Sequence, residues 1–432
     1  MNKFELPLLT TPRVRFSAAS QDTRYWYWAL LLLTFAHLVE AQPLQFPSFE
    51  QLDFDGDGVV TNLEYKLAIN RAQAARDTSA APPHVLPQLD RRGLQQLPAF
   101  WPPMSQPPLN TNPEFEIPEG ADELTAFMQD INVNEVTLTK DMALDSALPV
   151  LTTPFTIQGV CHLDSNRGYC LIDARRRFRV LQVARSGALT LRAVHLTNGF
   201  LHKNVTAPRF GAGLLVTDGA QAIVEDCVIS NCLLEGAVGG TGVAVGYGGS
   251  LYMIRTTVRD NTLISSMGGA GICILDSYAV ILNSSMVGNR ILDAVGGSGL
   301  VVAGNGVEQN QTFAGGSSVT VSGCLISENL SEDTLGGGGV GIVPFMSNSS
   351  MQVSFLDTAI HNNVLNYSTN TLENSMYGAG LFAMGSDTGK TSVLMNNCSV
   401  RDHYCSFGCE GAGIMLWVNA EVVVQHSVLT NK

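Results

Sequence analysis

Charge is scarce in this sequence, and basic charge is scarcest. Only 15% of the 432 residues are charged, acidic residues outnumber Lys and Arg by 38 to 25, and the formal net charge is −13. Such a chain cannot neutralise a phosphate backbone or an anionic bilayer, which excludes nucleic acid and anionic membrane surfaces as partners and permits cations. From Gly211 onward the deficit deepens to six basic residues (Arg255, Arg259, Arg290, Lys390, Arg401, Lys432) against 17 acidic ones. The eight histidines show no metal-ligand spacing. Low charge does not mean disorder here, because apolar residues make up 45% of the chain and can bury a core.

A long apolar run is also missing. Tyr25 to Val39 gives ~15 residues, short of the ~20 needed to cross a bilayer. Lys3, Arg13, Arg15 and Arg24 precede the run, and Val39-Glu40-Ala41 offers a cleavage site, so residues 1–41 read as an export signal. The Tyr25-Trp26-Tyr27-Trp28 cluster suits a membrane interface and keeps a retained N-terminal anchor open. Both predict a secreted or cell-surface chain. Seven N-x-S/T sequons at Asn204, Asn283, Asn310, Asn329, Asn348, Asn366 and Asn397 fit a glycoprotein on that route. The nine cysteines are an odd number; Cys161 with Cys170 and Cys405 with Cys409 lie close enough for local disulfides.

Residues 42–78 contain Asp53-Phe54-Asp55-Gly56-Asp57-Gly58-Val59-Val60-Thr61-Asn62-Leu63-Glu64. Ca²⁺ takes six to eight oxygens. Asp53, Asp55 and Asp57 offer carboxylates, Gly58 permits the turn, the Val59 carbonyl is next, Thr61 acts directly or through water, and Glu64 closes with two oxygens. The stretch Ser48–Arg76 resembles an EF-hand, which implies a small helical module with Ca²⁺ as its ligand. No second loop is present to pair with it, and cleavage at Ala41 leaves a short entering helix. Affinity is therefore expected to be weak, ~10⁻⁴–10⁻³ M.

Ten of the 18 prolines fall between Pro82 and Pro118, so residues 79–118 read as a semi-rigid spacer. The stretch Gly120–Met128 then places Asp122 and Glu123 in a first helical turn, with Leu124, Phe127 and Met128 at helical spacing. A helix there would cap the C-terminal region.

That region, 119–432, is a repeat. Gly-x-Gly turns at Gly211/Gly213, Gly240/Gly242, Gly269/Gly271, Gly297/Gly299, Gly337/Gly339, Gly378/Gly380 and Gly411/Gly413 each open an apolar strand, 28 to 41 residues apart. Each repeat carries an apolar residue three before a polar one: Val228/Asn231, Val258/Asn261, Met286/Asn289, Ile326/Asn329, Ile360/Asn363, Val400/His403 and Val428/Asn431. No leucine ladder is present, and the spacing is too uneven for propeller blades. A parallel β-helix suits both residues: glycine takes positive φ in tight turns, and asparagine tolerates left-handed geometry while bonding to its equivalent one coil away. Cys227, Cys324 and Cys398 fall where other repeats carry Thr257, Ser285 or Ser427, as small residues stacked inside the coil. Polar insertions at Gly304–Gly316, Phe345–Met351 and Asn366–Met376 read as protruding loops. No closing cap precedes Asn431-Lys432, which reads as a piece of a longer array.

From Gly120 to Lys432 the chain resembles the pectin-lyase-like right-handed β-helix superfamily, and its repeats resemble those of polymorphic outer-membrane proteins. The fold class expected is all-β: a right-handed parallel β-helix solenoid with an N-terminal capping helix, preceded by the EF-hand module. Enzymes of that superfamily act on acidic polysaccharides, which this acidic chain would repel. Asp218 and Asp276 share one repeat position about 10 Å apart, with Tyr247 between them, and read as turn residues. Arg175-Arg176-Arg177-Phe178-Arg179, near Arg185 and Arg192, suits either an acidic glycan or a solvated edge. The expected function is a calcium-binding secreted or cell-surface glycoprotein with a non-catalytic scaffold for adhesion or carbohydrate contact, its partner an extracellular polysaccharide or a cell-surface protein. The alternative is a divergent polysaccharide lyase, hydrolase or epimerase.

Overall fold

The computed structural model describes residues 116–430, apart from 162–167, 204–209, 237–238, 265–267, 295, 305–315, 335, 345–348, 367–375, 386–388, 407–408, 411 and 418. The EF-hand loop and its ligands, the segment 1–41 and nearly all of the proline-rich spacer lie outside the described residues.

Helix α1 (Ala121–Gln129) forms where the spacing predicts it, with Asp122 and Glu123 in its first turn. Leu124 and Met128 are buried in the main core and Phe127 packs against it. Parallel coils come next. One turn of the solenoid runs through Gln221–Glu225, Val228–Ser230, Leu233–Glu235 and Val243–Gly246, and each segment pairs in parallel with its equivalent one coil on. The coils thus stack into four long sheets of ten, ten, seven and eight strands, called here first to fourth in that order, with a separate pair formed by Met376–Tyr377 and Cys409–Glu410. Parallel pairing is satisfied entirely between coils, so each coil buries its apolar side chains only against its neighbours.

Two polar ladders run through the interior beside the apolar stack. In one, Asn261, Asn289, Asn329 and Asn363 are fully buried. Each Nδ2 donates to the next Oδ1, at 3.0, 3.1 and 2.9 Å, and each Oδ1 also accepts a backbone N–H of the preceding coil. Every Nδ2 bonds a strand carbonyl as well, at 3.0–3.2 Å. A buried amide is tolerated only when satisfied in this way. In the second ladder Cys227, Thr256, Ser284, Cys324, Thr358, Cys398 and Ser427 each donate to the carbonyl two residues back.

The register corrects three sequence expectations. Ile229, not Val228, pairs with Val258, so the first ladder begins at Cys232, whose N–H reaches Asn261 Oδ1; Asn231 sits one position earlier, at a corner. Val428-Leu429 misleads in the same way, since Leu429 pairs with Val400. Two adjacent apolar residues fit the spacing equally well, and only one can point inward. The second ladder likewise runs through Thr256 and Ser284, not Thr257 and Ser285. Left-handed geometry belongs to the residue before each ladder position, at Asn231, Asp260, Gly288, Glu328, Asn362 and Asp402.

The glycines divide their work. The first of each pair takes positive φ at Gly211, Gly240, Gly337 and Gly378. The second is needed for space: a Cβ at Gly271 would lie 2.4 Å from the Gly299 carbonyl and 3.0 Å from Asn289 Nδ2. From Leu214–Val216 to Val340–Pro344 the fourth sheet is buried on both faces. Its outward Ala244, Cys273, Val301 and Phe382 are almost inaccessible, and the chain crosses over them through glycines, a Cβ at Gly296 falling 2.8 Å from Val301 and one at Gly336 falling 2.4 Å from Phe382.

Candidate functional site

The outer face of the first sheet presents exposed and half-buried side chains of unusual chemistry. Its strands alternate inward and outward over Ser250–Ile254, Tyr278–Leu282, Ser318–Ser322, Met351–Leu356 and Thr391–Asn396. The outward residues form three columns in register: Ser250, Tyr278, Ser318, Gln352 and Ser392; Tyr252, Val280, Thr320, Ser354 and Leu394; Ile254, Leu282, Ser322, Leu356 and Asn396. None of these side chains carries a charge at neutral pH. In a chain of net charge −13, this is a neutral field of roughly 19 by 13 Å, from strand spacing and rise.

Charge returns at both ends of the field. On one side Glu225 meets Arg192 at 3.1 Å and Arg255 at 2.6 Å, and Arg255 also binds Asp226 at 2.7 Å. The Arg255 hydrogen bond holds the Asp226 carboxyl below its ordinary range. On the other side Lys390 meets Glu421 at 2.5 Å. These surface pairs contribute little to stability, but they mark where the neutral field stops.

Within the field the chemistry is graded. Tyr278 is 59% exposed, and Tyr252, Val280, Ile254 and Leu282 are half-buried beside it. The next three coils present Ser, Thr, Gln and Asn with two leucines. Aromatic faces cover apolar C–H surfaces while hydroxyls and amides exchange hydrogen bonds. The field therefore presents one half suited to apolar contact and one half suited to hydroxyl groups.

The residues singled out from sequence are placed differently. Asp218, Tyr247 and Asp276 all adopt left-handed backbone at φ 56°, 52° and 46°, in successive coils at the corner after the fourth sheet, as turn residues do. The arginine cluster is split. Arg179 is clamped, its Nε on the Gly211 carbonyl at 2.8 Å and one Nη on the Phe210 carbonyl at 2.9 Å, and burial pulls its pKa down to about 10. Arg175 pairs with Asp145 at 2.7 Å, and Arg177 lies over the Phe178 ring. Arg175, Arg176, Arg177, Arg185 and Arg192 are exposed, while Arg179 is tied to the backbone. Cys161 and Cys170 form a disulfide; Cys227, Cys324 and Cys398 are free and buried. Among the described residues no group of three or more His, Cys, Asp or Glu could hold a metal ion, and no helix is long and apolar enough to cross a membrane.

The chain belongs to the right-handed β-helix family: the model of the right handed beta helix region matches residues 211–429, just over half its length. No curated protein matches it. Among solved structures, pectate lyase Pel9A is 11% identical with a TM-score of 0.34, over 73% of this chain and 78% of that one. The SRRP of L. reuteri 53608 is 14% identical with a TM-score of 0.27, over 73% of this chain and 100% of that one. The 100-23 SRRP is 14% identical with a TM-score of 0.33, over 72% and 99%. At these scores the likenesses say nothing about the chemistry of this chain.

Proposed function

We propose that the chain is a secreted or cell-surface, calcium-binding glycoprotein whose β-helix is a non-catalytic scaffold contacting carbohydrate through the outer face of the first sheet. The observation that supports this reading is the neutral field. An extended glycan laid along the solenoid axis advances by about one sugar per coil, so successive rings meet equivalent rows. Tyr278 and Tyr252 offer stacking faces, and Ser318, Thr320, Ser322, Gln352 and Ser354 offer hydrogen-bonding partners for ring hydroxyls. An uncharged track within an acidic protein favours neutral sugars over uronates, whose carboxylates the surrounding charge repels.

Calcium belongs to the loop Asp53–Glu64 in this reading. Three carboxylates, the Val59 carbonyl, Thr61 and a bidentate Glu64 make an all-oxygen donor set of the kind Ca²⁺ selects. Calorimetric titration of the full chain is expected to show one weak site, abolished by Glu64→Gln. Titration with neutral oligosaccharides is expected to show binding that Tyr278→Ala weakens tenfold or more. Rising ultraviolet absorbance from unsaturated uronate, on polygalacturonate or alginate with millimolar calcium, would instead establish the lyase alternative.

A further inference from the structure

The corner between the first and second sheets is built from residues in left-handed backbone, one per coil: Ala193, Asp226, Arg255, Asn283, Asp357, Asn397 and His426, with Gly323 at φ 62°. Asparagine, aspartate and glycine are the residues that accept this conformation at low cost. Two members of the column, Asn283 and Asn397, head N-x-S sequons. The same fold therefore decides which sequon asparagines are presented outward and which are consumed inside.

The described sequon asparagines differ sharply. Asn329 is fully buried, and its amide is saturated: Nδ2 donates to the Met286 carbonyl and to Asn363 Oδ1, while Oδ1 accepts from Asn289 N and Nδ2. Asn397 is exposed, but its Nδ2 donates to Asp357 Oδ1 at 2.5 Å. Asn366 is half-buried at the end of a third-sheet strand. Asn283 is exposed, and its carboxamide makes no hydrogen bond among the described residues. Its neighbour one coil on is Gly323, where a Cβ would stand 2.4 Å from Asn283 Oδ1. The missing side chain makes the room in which the Asn283 carboxamide oxygen lies.

We infer that Asn283 is an N-glycosylation site and that Asn329 is not. The inference rests on the secreted-glycoprotein reading above and adds the position. In the transfer, Asn283 Nδ2 attacks the anomeric carbon of a lipid-diphosphate-linked oligosaccharide. The C–O bond to the diphosphate breaks, the C–N bond forms, and the amide loses one proton. The product fits the folded coil, because the corner points the amide to solvent beside Leu282, at the margin of the neutral field. A glycan there stands next to the outermost column, that of Ile254 and Leu282. A glycan on Asn329 would remove a proton from an amide that donates twice and would force a large group into a closed coil, so a chain so modified does not complete its ladder.

The test is secretion of the full chain from a eukaryotic host, followed by enzymatic deglycosylation in heavy-oxygen water and peptide mass spectrometry. The expected result is near-complete labelling at Asn283 and none at Asn329. The variant Asn283→Gln is expected to lose one glycan mass with an unchanged melting temperature. Occupancy at Asn397 or Asn366 with Asn283 bare would overturn the assignment while leaving the secretory reading intact. A chain that is not exported and bears no glycan at all would overturn both. Full occupancy of Asn329 in folded material would refute the ladder argument.

Discussion

The last described rung of the amide ladder is a histidine, and that exchange predicts a specific acid sensitivity. His403 is 4% exposed and its Nδ1 accepts the Asn363 N–H at 3.3 Å. Burial, the largest cause, pulls its pKa down from 6.5 to about 4, with His361 pushing the same way and Asp402 opposing. The unfolded chain takes up a proton near pH 6.5 while the folded chain resists until about pH 4. Between those values the unfolded state holds more protons, so stability is full above pH 6.5 and falls as the pH drops to 4, then levels. The loss across that window is about 3 kcal/mol, since each pH step between the two values contributes about 1.4 kcal/mol. Replacing His403 with Asn restores the amide found at Asn261, Asn289, Asn329 and Asn363 and removes the titrating group. Guanidinium unfolding of wild type and His403→Asn at pH 7.5 and pH 4.5 compares the two slopes, and titrations common to both chains cancel. Wild type is expected to lose about 2–3 kcal/mol more than the variant. Parallel losses would mean that the ring is not held neutral in the coil.

Three further outcomes are expected from the interior. Asn289→Ala unpairs Asn261 and Asn329 together with the Val258 carbonyl, and is expected to cost about 3–5 kcal/mol in chemical denaturation, since several buried groups lose partners at once. Gly271→Ala, which drives a Cβ against the Gly299 carbonyl, is expected to lower the melting temperature by several degrees, whereas Gly219→Ala, with open space at its Cβ, pays only the cost of its left-handed φ of 76°. The buried thiols are expected to be inert in the native protein: burial pushes Cys227, Cys232 and Cys273 up to about 12, so a colourimetric thiol reagent at pH 8 should label them only after denaturant is added.

Much of the fold is legible in the residues because the repeat imposes one pattern many times. Gly-x-Gly before seven of the eight fourth-sheet strands, and Asn three after an inward aliphatic, each recur often enough to define a coil. The register slips where two aliphatic neighbours stand side by side, at Val228-Ile229 and Val428-Leu429, since either satisfies the spacing and only stacking chooses between them. The neutral field escapes sequence reading for the same reason. Tyr278-Ala279-Val280-Ile281-Leu282 is a continuous apolar run, and nothing local says that Tyr278, Val280 and Leu282 face outward while Ala279 and Ile281 enter the core. The double burial of the fourth sheet is equally hidden, because its cover is made of glycines with no apolar signature. Cys232 is overlooked because a thiol takes an amide's place on the ladder.

The central claim is that the outer face of the first sheet contacts neutral carbohydrate without transforming it. Equilibrium titration of the full chain with neutral and uronic oligosaccharides of increasing length, followed by chromatography of the recovered sugar, tests it most directly. Affinity for a neutral series is expected to rise with each added sugar up to about five, the number of first-sheet strands whose outward residues are uncharged, to fall at least tenfold in the Tyr252→Ala/Tyr278→Ala double variant, and to leave the sugar intact. Binding that is unaffected by the double variant, tighter for uronates than for neutral sugars, or accompanied by chain cleavage would contradict it.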